Sequence, residues 1–396
     1  MPRAVSGYRS LLRTPGAAAF FLTAAVGRVG IAMTGLGLIW LLHARTGSYG
    51  TAGIAAGGFA LAEALVGPHV ARMVDRFGQT RVLPFCLLAH GVAVAGVLAS
   101  STPSAEIAAA TCAGAVVPQL GALSGARWAH LLGGERSKEL PTAFALESLA
   151  NAAAFLLGPV LVTSLGAAGD ETLASAIAAG LILGGGGALA VQRHTAPTPA
   201  GDRAEHSAAT RSLLQPAFVV LALLNLAMGL YFGIMQVSVS SFATGHGMPD
   251  AAAPIIAAAS LSGLLSGWVY GLRRHRVPAT RQLVIATAYL TGAAVMLPLA
   301  RSTIWLGAAM VVTEAAVPPT LVLLNVLTEK AVCAVVLTQA FTWNNSTSAA
   351  GLALAAIVAG RAADAWGAFA AFALAPVAGL ILLVLSLFLC RRTAVG

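Results

Sequence analysis

The chain has 396 residues, of which 58% are hydrophobic and 9% are charged. A soluble protein of this length is typically about a quarter charged, so the composition argues against a protein whose main solvent is water. The formal net charge of +9 points to an acidic neighbour, either nucleic acid or anionic lipid.

The apolar residues are collected in long blocks. Residues 17–42 and 368–390 each exceed the length of about 20 helical residues that crosses a hydrocarbon core. No block alternates polar and apolar residues over segments of roughly ten residues, as the strands of a membrane barrel do. The sequence therefore predicts an all-α membrane protein. Twelve transmembrane helices are expected at residues 17–42, 51–70, 82–100, 106–126, 142–165, 172–191, 216–240, 251–271, 282–300, 304–324, 334–359 and 368–390.

The basic residues are distributed unevenly between the two sides of this map. Of the 23 lysines and arginines, all but Arg28, Arg45, Arg301 and Arg361 fall on the side of the N-terminus. Because basic residues accumulate on the cytoplasmic side of membrane proteins, we expect both termini in the cytoplasm and the protein in the cell membrane. The net positive charge then belongs to a membrane face that meets anionic lipid, and nucleic acid is not an expected partner.

The chain divides into two similar halves. AVVPQLGAL (115–123) is similar to AAVPPTLVL (315–323), and TAFALES (142–148) is similar to QAFTWNN (339–345), both at an offset close to 200 residues. An internal repeat of six helices is typical of transporters that alternate access around a central site. We predict pseudo-symmetric six-helix bundles at residues 1–191 and 216–396, joined by a polar cytoplasmic linker at residues 192–215.

Residues for metal binding or covalent chemistry are scattered. Cys86, Cys112, Cys333 and Cys390 have no CxxC spacing, and the glycine run at residues 184–187 is not followed by the Lys-Ser/Thr of a phosphate-binding loop. We expect no metal, no cofactor and no enzymatic activity.

The segment ARMVDRFGQTR (71–81) concentrates charge between the second and third predicted helices. It resembles the motif at this position in the major facilitator superfamily, in which Gly and three further residues precede Asp-Arg-x-Gly and basic residues. Asp75, Arg76, Gly78 and Arg81 match, whereas Ala71, Gln79 and Thr80 depart from the pattern. The resemblance implies the twelve-helix transporter fold.

The same motif predicts a conformational latch made of Asp75, Arg76, Gly78 and Arg81. An aspartate is stabilised near the positive N-terminal end of a helix, here one from the other bundle. The two arginines would bind carbonyls, carboxylates or lipid phosphates, and the glycine permits the turn. Such contacts exist in one rocked state only. The equivalent segment of the second half, residues 271–281, has no aspartate, so there we expect a polar loop.

Three further segments, GARWAHLL (125–132), TAFALES and QAFTWNN, resemble an actinobacterial branch of the superfamily described as efflux proteins. That branch has acidic residues where this chain has Asn151, Ala152 and Gln339, so proton coupling is not carried over to these positions. The segment LLGPVLV around Gly158 and Pro159 is partly similar to an antiporter motif of the fifth helix.

Ionisable residues are rare within the predicted spans and therefore informative. Arg28 and Glu63 lie at similar depth on adjacent helices, which predicts an ion pair, with a substrate or proton role as the alternative. Glu147 lies nearer the cytoplasmic end of the fifth helix. Glu314 has no obvious partner in its own half, and a desolvated carboxyl group there is suited to carry protons or to bind substrate. A satisfied core carboxyl group is the alternative for Glu314.

Uncharged polar residues form a second set of candidates for a substrate site. Amides in membrane helices often only join neighbouring helices, but an indole beside two amides suits a cavity for a flat or amphipathic organic molecule. The candidates are Gln119, Asn225, Gln236, Trp343, Asn344 and Asn345.

Together these features predict a monomeric secondary transporter that exports a small organic molecule, such as a drug or secondary metabolite, in exchange for protons. The alternatives are a proton-coupled uptake symporter of the same fold and, from a different class, a membrane-embedded enzyme or sensor.

Overall fold

The computed structural model describes residues 7–199, 208–245, 252–273 and 276–395. In this part of the chain the regular elements are helices, as the sequence predicts. They are α1 Tyr8–Leu12, α2 Ala17–Thr46, α3 Tyr49–Phe77, α4 Gln79–Ala99, α5 Pro103–Ala115, α6 Leu120–Leu131, α7 Leu140–Ala167, α8 Glu171–Ala190, α9 Pro216–Gly245, α10 Ala252–Leu272, α11 Ala279–Ala294, α12 Thr303–Glu314, α13 Val317–Ala331, α14 Leu337–Trp366, α15 Ala368–Phe372 and α16 Leu374–Val395. Short 3-10 turns lie at Gly134–Glu139, Arg211–Leu214 and Ala334–Val336.

Among the described residues, 11 helical segments are long and apolar enough to cross a membrane. The remaining predicted span, 282–300, corresponds to α11, whose helix has 16 residues and continues through turns to Ala300. The all-α membrane fold is confirmed.

The fourth and tenth spans are broken, which the sequence analysis did not predict. The fourth is divided into α5 and α6 by residues 116–119, and the tenth into α12 and α13 by Ala315 and Ala316. A proline lacks the amide hydrogen that continues a helix, and Pro118 and Pro318 lie 200 residues apart at the two breaks. The breaks are therefore equivalent features of the two halves.

The segment Ala71–Arg81 is not the loop that the predicted spans allowed. Helix α3 continues to Phe77 and α4 begins at Gln79, so only Gly78 separates them. Gly78 has φ 94°, a conformation that side chains with a Cβ rarely adopt. The motif thus consists of two helix ends and one glycine turn, because charged residues at a membrane surface can continue a helix beyond the apolar span.

Many large apolar side chains are exposed on the outer surface, including Phe85, Leu88 and Ile304. Exposure of this extent in a soluble protein marks an interaction surface. Around a bundle of membrane-length helices, the same side chains face lipid.

The two halves meet at one end of the molecule. We define the basic face as the end that carries Gly78, the Gly134–Glu139 turn and the junction of α10 with α11. One apolar cluster at this end contains buried residues of both bundles, among them Phe144 and Phe341, whose rings pack edge to face at 5.7 Å. The structure is closed at the basic face.

Candidate functional site

A buried network in the N-terminal bundle is centred on the carboxylate of Glu147 in α7. Arg28 of α2 forms an ion pair with it, Ser124 Oγ donates to it at 2.6 Å, and Trp128 Nε1 donates to it at 2.7 Å. Arg28 Nη1 also donates to the Glu147 backbone carbonyl at 3.3 Å. Both charges are nearly sequestered, and the carboxylate is fully engaged, whereas Arg28 Nε has no partner among the described residues.

The predicted ion pair between Arg28 and Glu63 is wrong. Glu63 Oε1 instead accepts a hydrogen bond from Gln119 Nε2 at 2.9 Å. Similar depth on adjacent helices was the only basis for the prediction. Helix α2 also packs against α7. The Glu147 carboxylate on α7 accepts hydrogen bonds from Ser124 and Trp128 in addition to its ion pair with Arg28. The packing of the helices therefore determines that Arg28 pairs with Glu147 and not with Glu63.

The Glu63–Gln119 pair lies at the break of the fourth span. Gln119 is the residue that precedes α6, so its side chain is presented where the helix is interrupted. One turn along α3 from Glu63, Gly67 lies against Thr342 of α14 in the other bundle. The pair therefore lies one helical turn from a contact between the two bundles, on the side of that contact away from the basic face.

Glu314 is the last residue of α12, at the break of the tenth span. Its side chain lies against Gly263 of α10, where an added Cβ would be 3.2 Å from Glu314 Cγ. Tyr231 of α9 is close enough to interact electrostatically with it. Among the described residues, no hydrogen bond or ion pair to the Glu314 carboxylate is present.

The two carboxylates occupy related places in the two halves. Residues 63 and 263 are separated by 200 positions, and so are residues 67 and 267. In the first half, α3 carries a carboxylate at this position, Glu63. In the second half the equivalent residue of α10 is Gly263, which leaves room for the side chain of Glu314. Gly267 lies against both Pro318 and Leu149 of the other bundle, as Gly67 lies against Thr342. Each half thus brings one carboxylate to its helix break, one helical turn farther from the basic face than a contact with the other half.

The uncharged candidates do not form one cluster. Asn225 is buried and donates to the carbonyl of Leu221 in its own helix at 2.9 Å. Asn344 is also buried and donates to Thr328 Oγ1 at 2.8 Å. Gln236 and Asn345 are exposed and Trp343 is half-buried. Consecutive residues of a helix face different directions, so the run in α14 is divided between the bundle interior and an open surface.

The motif at the basic face joins the two bundles. Asp75 Oδ2 accepts a hydrogen bond from the backbone amide of Gln339 at 2.8 Å, in the first turn of α14. Thr338 lies beside the same carboxylate. The predicted place of Asp75, at a helix N-terminus of the other bundle, is confirmed. The guanidinium of Arg76 lies over the ring of Phe77 at 4.9 Å, and Arg81 is exposed.

The second half has its own cross-bundle bonds, which the sequence analysis did not identify. Thr142 Oγ1 donates to the carbonyl of Gly271 at 2.8 Å, and the Tyr8 hydroxyl donates to the carbonyls of Trp268 at 3.0 Å and Gly267 at 3.3 Å. Burial raises the pKa of Tyr8 to about 12, so its hydroxyl keeps the proton that it donates. Of the segment 271–281, Gly271 takes part in these bonds through its backbone, at the end of α10.

Arg127, which directly follows the predicted fourth span at residues 106–126, is fully buried within α6. It donates to Gln79 Oε1 at 2.8 Å, to the Gln192 carbonyl at 2.9 Å, to Thr195 Oγ1 at 2.8 Å and to the Leu189 carbonyl at 3.0 Å. The start of the predicted linker is thereby attached to the N-terminal bundle, while residues 200–207 lie outside the described part. Counting basic residues could not reveal this, because the positive-inside rule does not distinguish buried from exposed arginines.

The sequence profile described as Major Facilitator Superfamily matches residues 20–334. The chain belongs to the major facilitator superfamily. No curated protein sequence matches it. In the part of the chain that the structure describes, no three His, Cys, Asp or Glu residues are grouped as metal ligands would be. The family makes this chain a transporter and not an enzyme.

Solved structures of several transporters share the fold. The human organic anion transporter MFSD10 (TETRAN) is 19% identical, with 93% of this chain and 98% of that chain covered and a TM-score of 0.68. A bacterial homologue of the iron transporter ferroportin, in an outward-facing state, is 12% identical over 95% and 99% of the two chains, with a TM-score of 0.77. The transporter FucP, in the outward conformation, is 13% identical over 94% and 97%, with a TM-score of 0.72.

Proposed function

We propose that this major facilitator protein is a secondary active transporter that exports a small organic molecule in exchange for protons by alternating access. Its place would be the cell membrane, with both termini and the basic face in the cytoplasm. The observation that carries the proposal is the arrangement of two carboxylates, Glu63 and Glu314, at equivalent helix breaks above the closed contact between the bundles.

The closed basic face supports alternating access. Asp75 accepts its hydrogen bond from an amide of the other bundle, so the bond must break when the bundles separate at this end. An interaction present in one conformational state shifts the equilibrium toward that state. Asp75 and the Gly78 turn would therefore act as the latch of the outward-facing state. Arg76 and Arg81 would contribute by binding lipid phosphates.

Proton coupling is proposed for Glu314. An ionised carboxylate without a counter-charge is costly at membrane depth, so it must take up a proton or bind a cationic or hydrogen-bonding group. Glu63 already accepts the amide of Gln119, and Glu147 is neutralised by Arg28. Among the three membrane-depth carboxylates, Glu314 is the one to which the described residues give neither a hydrogen bond nor a counter-charge, whereas Glu63 lacks only the counter-charge.

The cargo is proposed to be a small organic molecule. The half-buried indole of Trp343 and the exposed amide of Asn345 offer stacking and hydrogen bonding on α14. Export as the direction rests on the resemblance to efflux proteins.

The test is transport in proteoliposomes with an imposed pH gradient, first to identify a cargo from a panel of organic compounds. Glu314→Gln should abolish gradient-driven transport while energy-independent exchange of the same compound continues, because the variant cannot release a proton. Glu329→Gln is the matched control, since Glu329 is a carboxylate of α13 beyond the break.

Two results would contradict parts of this proposal. A wild-type rate and pH profile for Glu314→Gln at matched protein level would remove Glu314 from the coupling step. Accumulation of cargo on the side of the basic face, driven by protons moving the same way, would establish an uptake symporter instead.

A further inference from the structure

A small cavity lies inside the N-terminal bundle, away from the candidate site. It has a volume of about 20 Å³ and is enclosed by α2, α4, α5 and α8. Its wall is largely aliphatic, with leucines and valines of α2 and α4 and alanines of α5 and α8. Three polar side chains also line it, Thr34, His90 and Ser175.

His90 is held by the break of the fourth span. Its Nδ1 contacts the carbonyl of Ala113 at 3.0 Å, in the last turn of α5. Helix α5 ends at Ala115, and the amide of Val117, four residues after Ala113, bonds to Gly114 instead. The Ala113 carbonyl is therefore released by the break, and a carbonyl can only accept. Nδ1 must carry the hydrogen, which leaves Nε2 of the neutral imidazole as an acceptor.

Two polar atoms at this cavity have no partner among the described residues. They are Nε2 of His90, whose side chain is fully buried, and Oγ of Ser175. Thr34 Oγ1 donates to the Gly30 carbonyl at 2.9 Å and keeps its own lone pairs. Burying polar groups without partners costs free energy, so such groups are normally satisfied by protein or by ordered water.

We infer that the cavity is a binding site for one structural water molecule. A volume of this size accommodates about one water, and the site offers the two to four polar partners that a buried water needs. The water donates to His90 Nε2, accepts from Ser175 Oγ and directs its second hydrogen to Thr34 Oγ1. None of the residues that line this site is among the proposed cargo and coupling residues.

The water would connect three helices to the break. Through His90 it joins α4 to the last turn of α5, and through Ser175 and Thr34 it joins them to α8 and α2. The bent fourth span presents Gln119 to Glu63. A water that fixes His90 against the freed carbonyl therefore helps to hold that bend in place.

The test uses valine substitutions that fill the cavity in the purified full-length protein. Ser175→Val and Ala179→Val both place methyl groups at its wall, and Ala179→Val leaves all three polar side chains intact. If a water is bound, both variants expel it and strand His90 Nε2, so the melting temperature should fall by several degrees. Ala176→Val, at an exposed position of the same helix, controls for the lower helix propensity of valine. A dry cavity predicts the opposite sign, because filling an apolar void is stabilising.

Two further measurements decide the matter independently of that sign. The double variant His90→Leu/Ser175→Val should lose less stability than the sum of the single variants, because one shared water can be lost only once. A structure resolved well enough to show ordered waters should have one density peak within hydrogen-bonding distance of both atoms, absent in Ser175→Val. An empty cavity, a direct bond between His90 and Ser175, or strictly additive losses would overturn the inference.

Discussion

At the scale of single residues, the Glu147 carboxylate is satisfied by three side chains that come from two neighbouring segments. Arg28 supplies the counter-charge, and Ser124 and Trp128 of α6 supply the remaining hydrogen bonds. A buried pair of this kind contributes little net stability when intact, since desolvation offsets attraction, but breaking it is costly. Its role is to fix α2, α6 and α7 relative to one another.

We predict that Arg28→Met lowers the amount of folded protein in the membrane. Removing one partner of a buried pair typically costs about 3–5 kcal/mol, because the other charge stays buried. Glu147→Gln should have a comparable effect, because the amide oxygen can still accept from Ser124 and Trp128 but the Arg28 guanidinium stays buried without its counter-charge. The measurement is the yield of monodisperse protein and its melting temperature in detergent.

The double variant Arg28→Met/Glu147→Gln is the control for this prediction. It removes both charges, so it should recover part of the stability that Arg28→Met loses. Additive losses would mean that Arg28 and Glu147 are not energetically coupled. A greater recovery with Glu63→Gln than with Glu147→Gln would restore the pairing that the sequence predicted.

At the scale of helices, the ends of α3 and α10 make equivalent contacts by different chemistry. The end of α3 uses the Asp75 carboxylate to accept from the start of α14. The end of α10 uses its own carbonyl at Gly271 to accept from Thr142 at the start of α7. A helix terminus has unpaired backbone groups, amides at the start and carbonyls at the end, so either can complete a cross-bundle bond.

Asp75→Asn is expected to slow transport more than it weakens binding of cargo. The substitution keeps the shape but removes the negative charge that faces the positive end of α14, so the closed basic face becomes less stable. Accessibility of a cysteine at Thr338, which is buried in the closed state, should increase. Unchanged transport and unchanged accessibility in a folded variant would leave Asp75 without a latch role.

Tyr8→Phe combined with Thr142→Val tests the contacts of the second half. Both substitutions nearly preserve volume and remove only the hydroxyl donors to α10, so folding should be retained. We expect greater accessibility at the basic face, smaller than for Asp75→Asn because neutral bonds are weaker than charge-assisted ones. Ser137→Ala, at an exposed position of the same face, is the control. Accessibility equal to wild type would show that these bonds do not bias the conformation.

At the scale of the whole molecule, the two halves repeat their helix breaks, their glycine contacts and one carboxylate each. The repeats follow an offset of 200 residues at Pro118 and Pro318 and at Gly67 and Gly267. The proposed alternating access would require these two similar bundles to rock about their contact at the basic face.

The proposed topology predicts opposite labelling of two single-cysteine variants. Cys86, Cys112, Cys333 and Cys390 are first replaced by alanine. Ser137→Cys lies at the basic face and Ser101→Cys at the opposite end, and both positions are exposed. In intact cells an impermeant thiol reagent should label Ser101→Cys and leave Ser137→Cys unmodified until the membrane is permeabilised. The reverse pattern would invert the topology and with it the direction assigned to the latch.

The sequence predicted more of the fold than of the candidate site. Apolar blocks locate membrane helices because the bilayer imposes one length and one polarity on every span. Asp75 could be placed because its motif has fixed spacing. The partners of Arg28, Glu63 and Arg127 could not be found, because any polar group of several neighbouring helices lay within the range of depths that the sequence allows.

The sequence by itself determined that the protein lies in a membrane, that it is helical, that it contains an internal repeat of two halves, and which superfamily it resembles. Each of these properties depends on composition or on the order of residues along the chain. Only the tertiary structure decided which side chains meet. It paired Arg28 with Glu147, gave Glu63 the amide of Gln119, and left Glu314 beside Gly263. The physical reason is that a charge inside a membrane must find a partner within a few ångströms, and the rotation and bending of packed helices determine which partner that is.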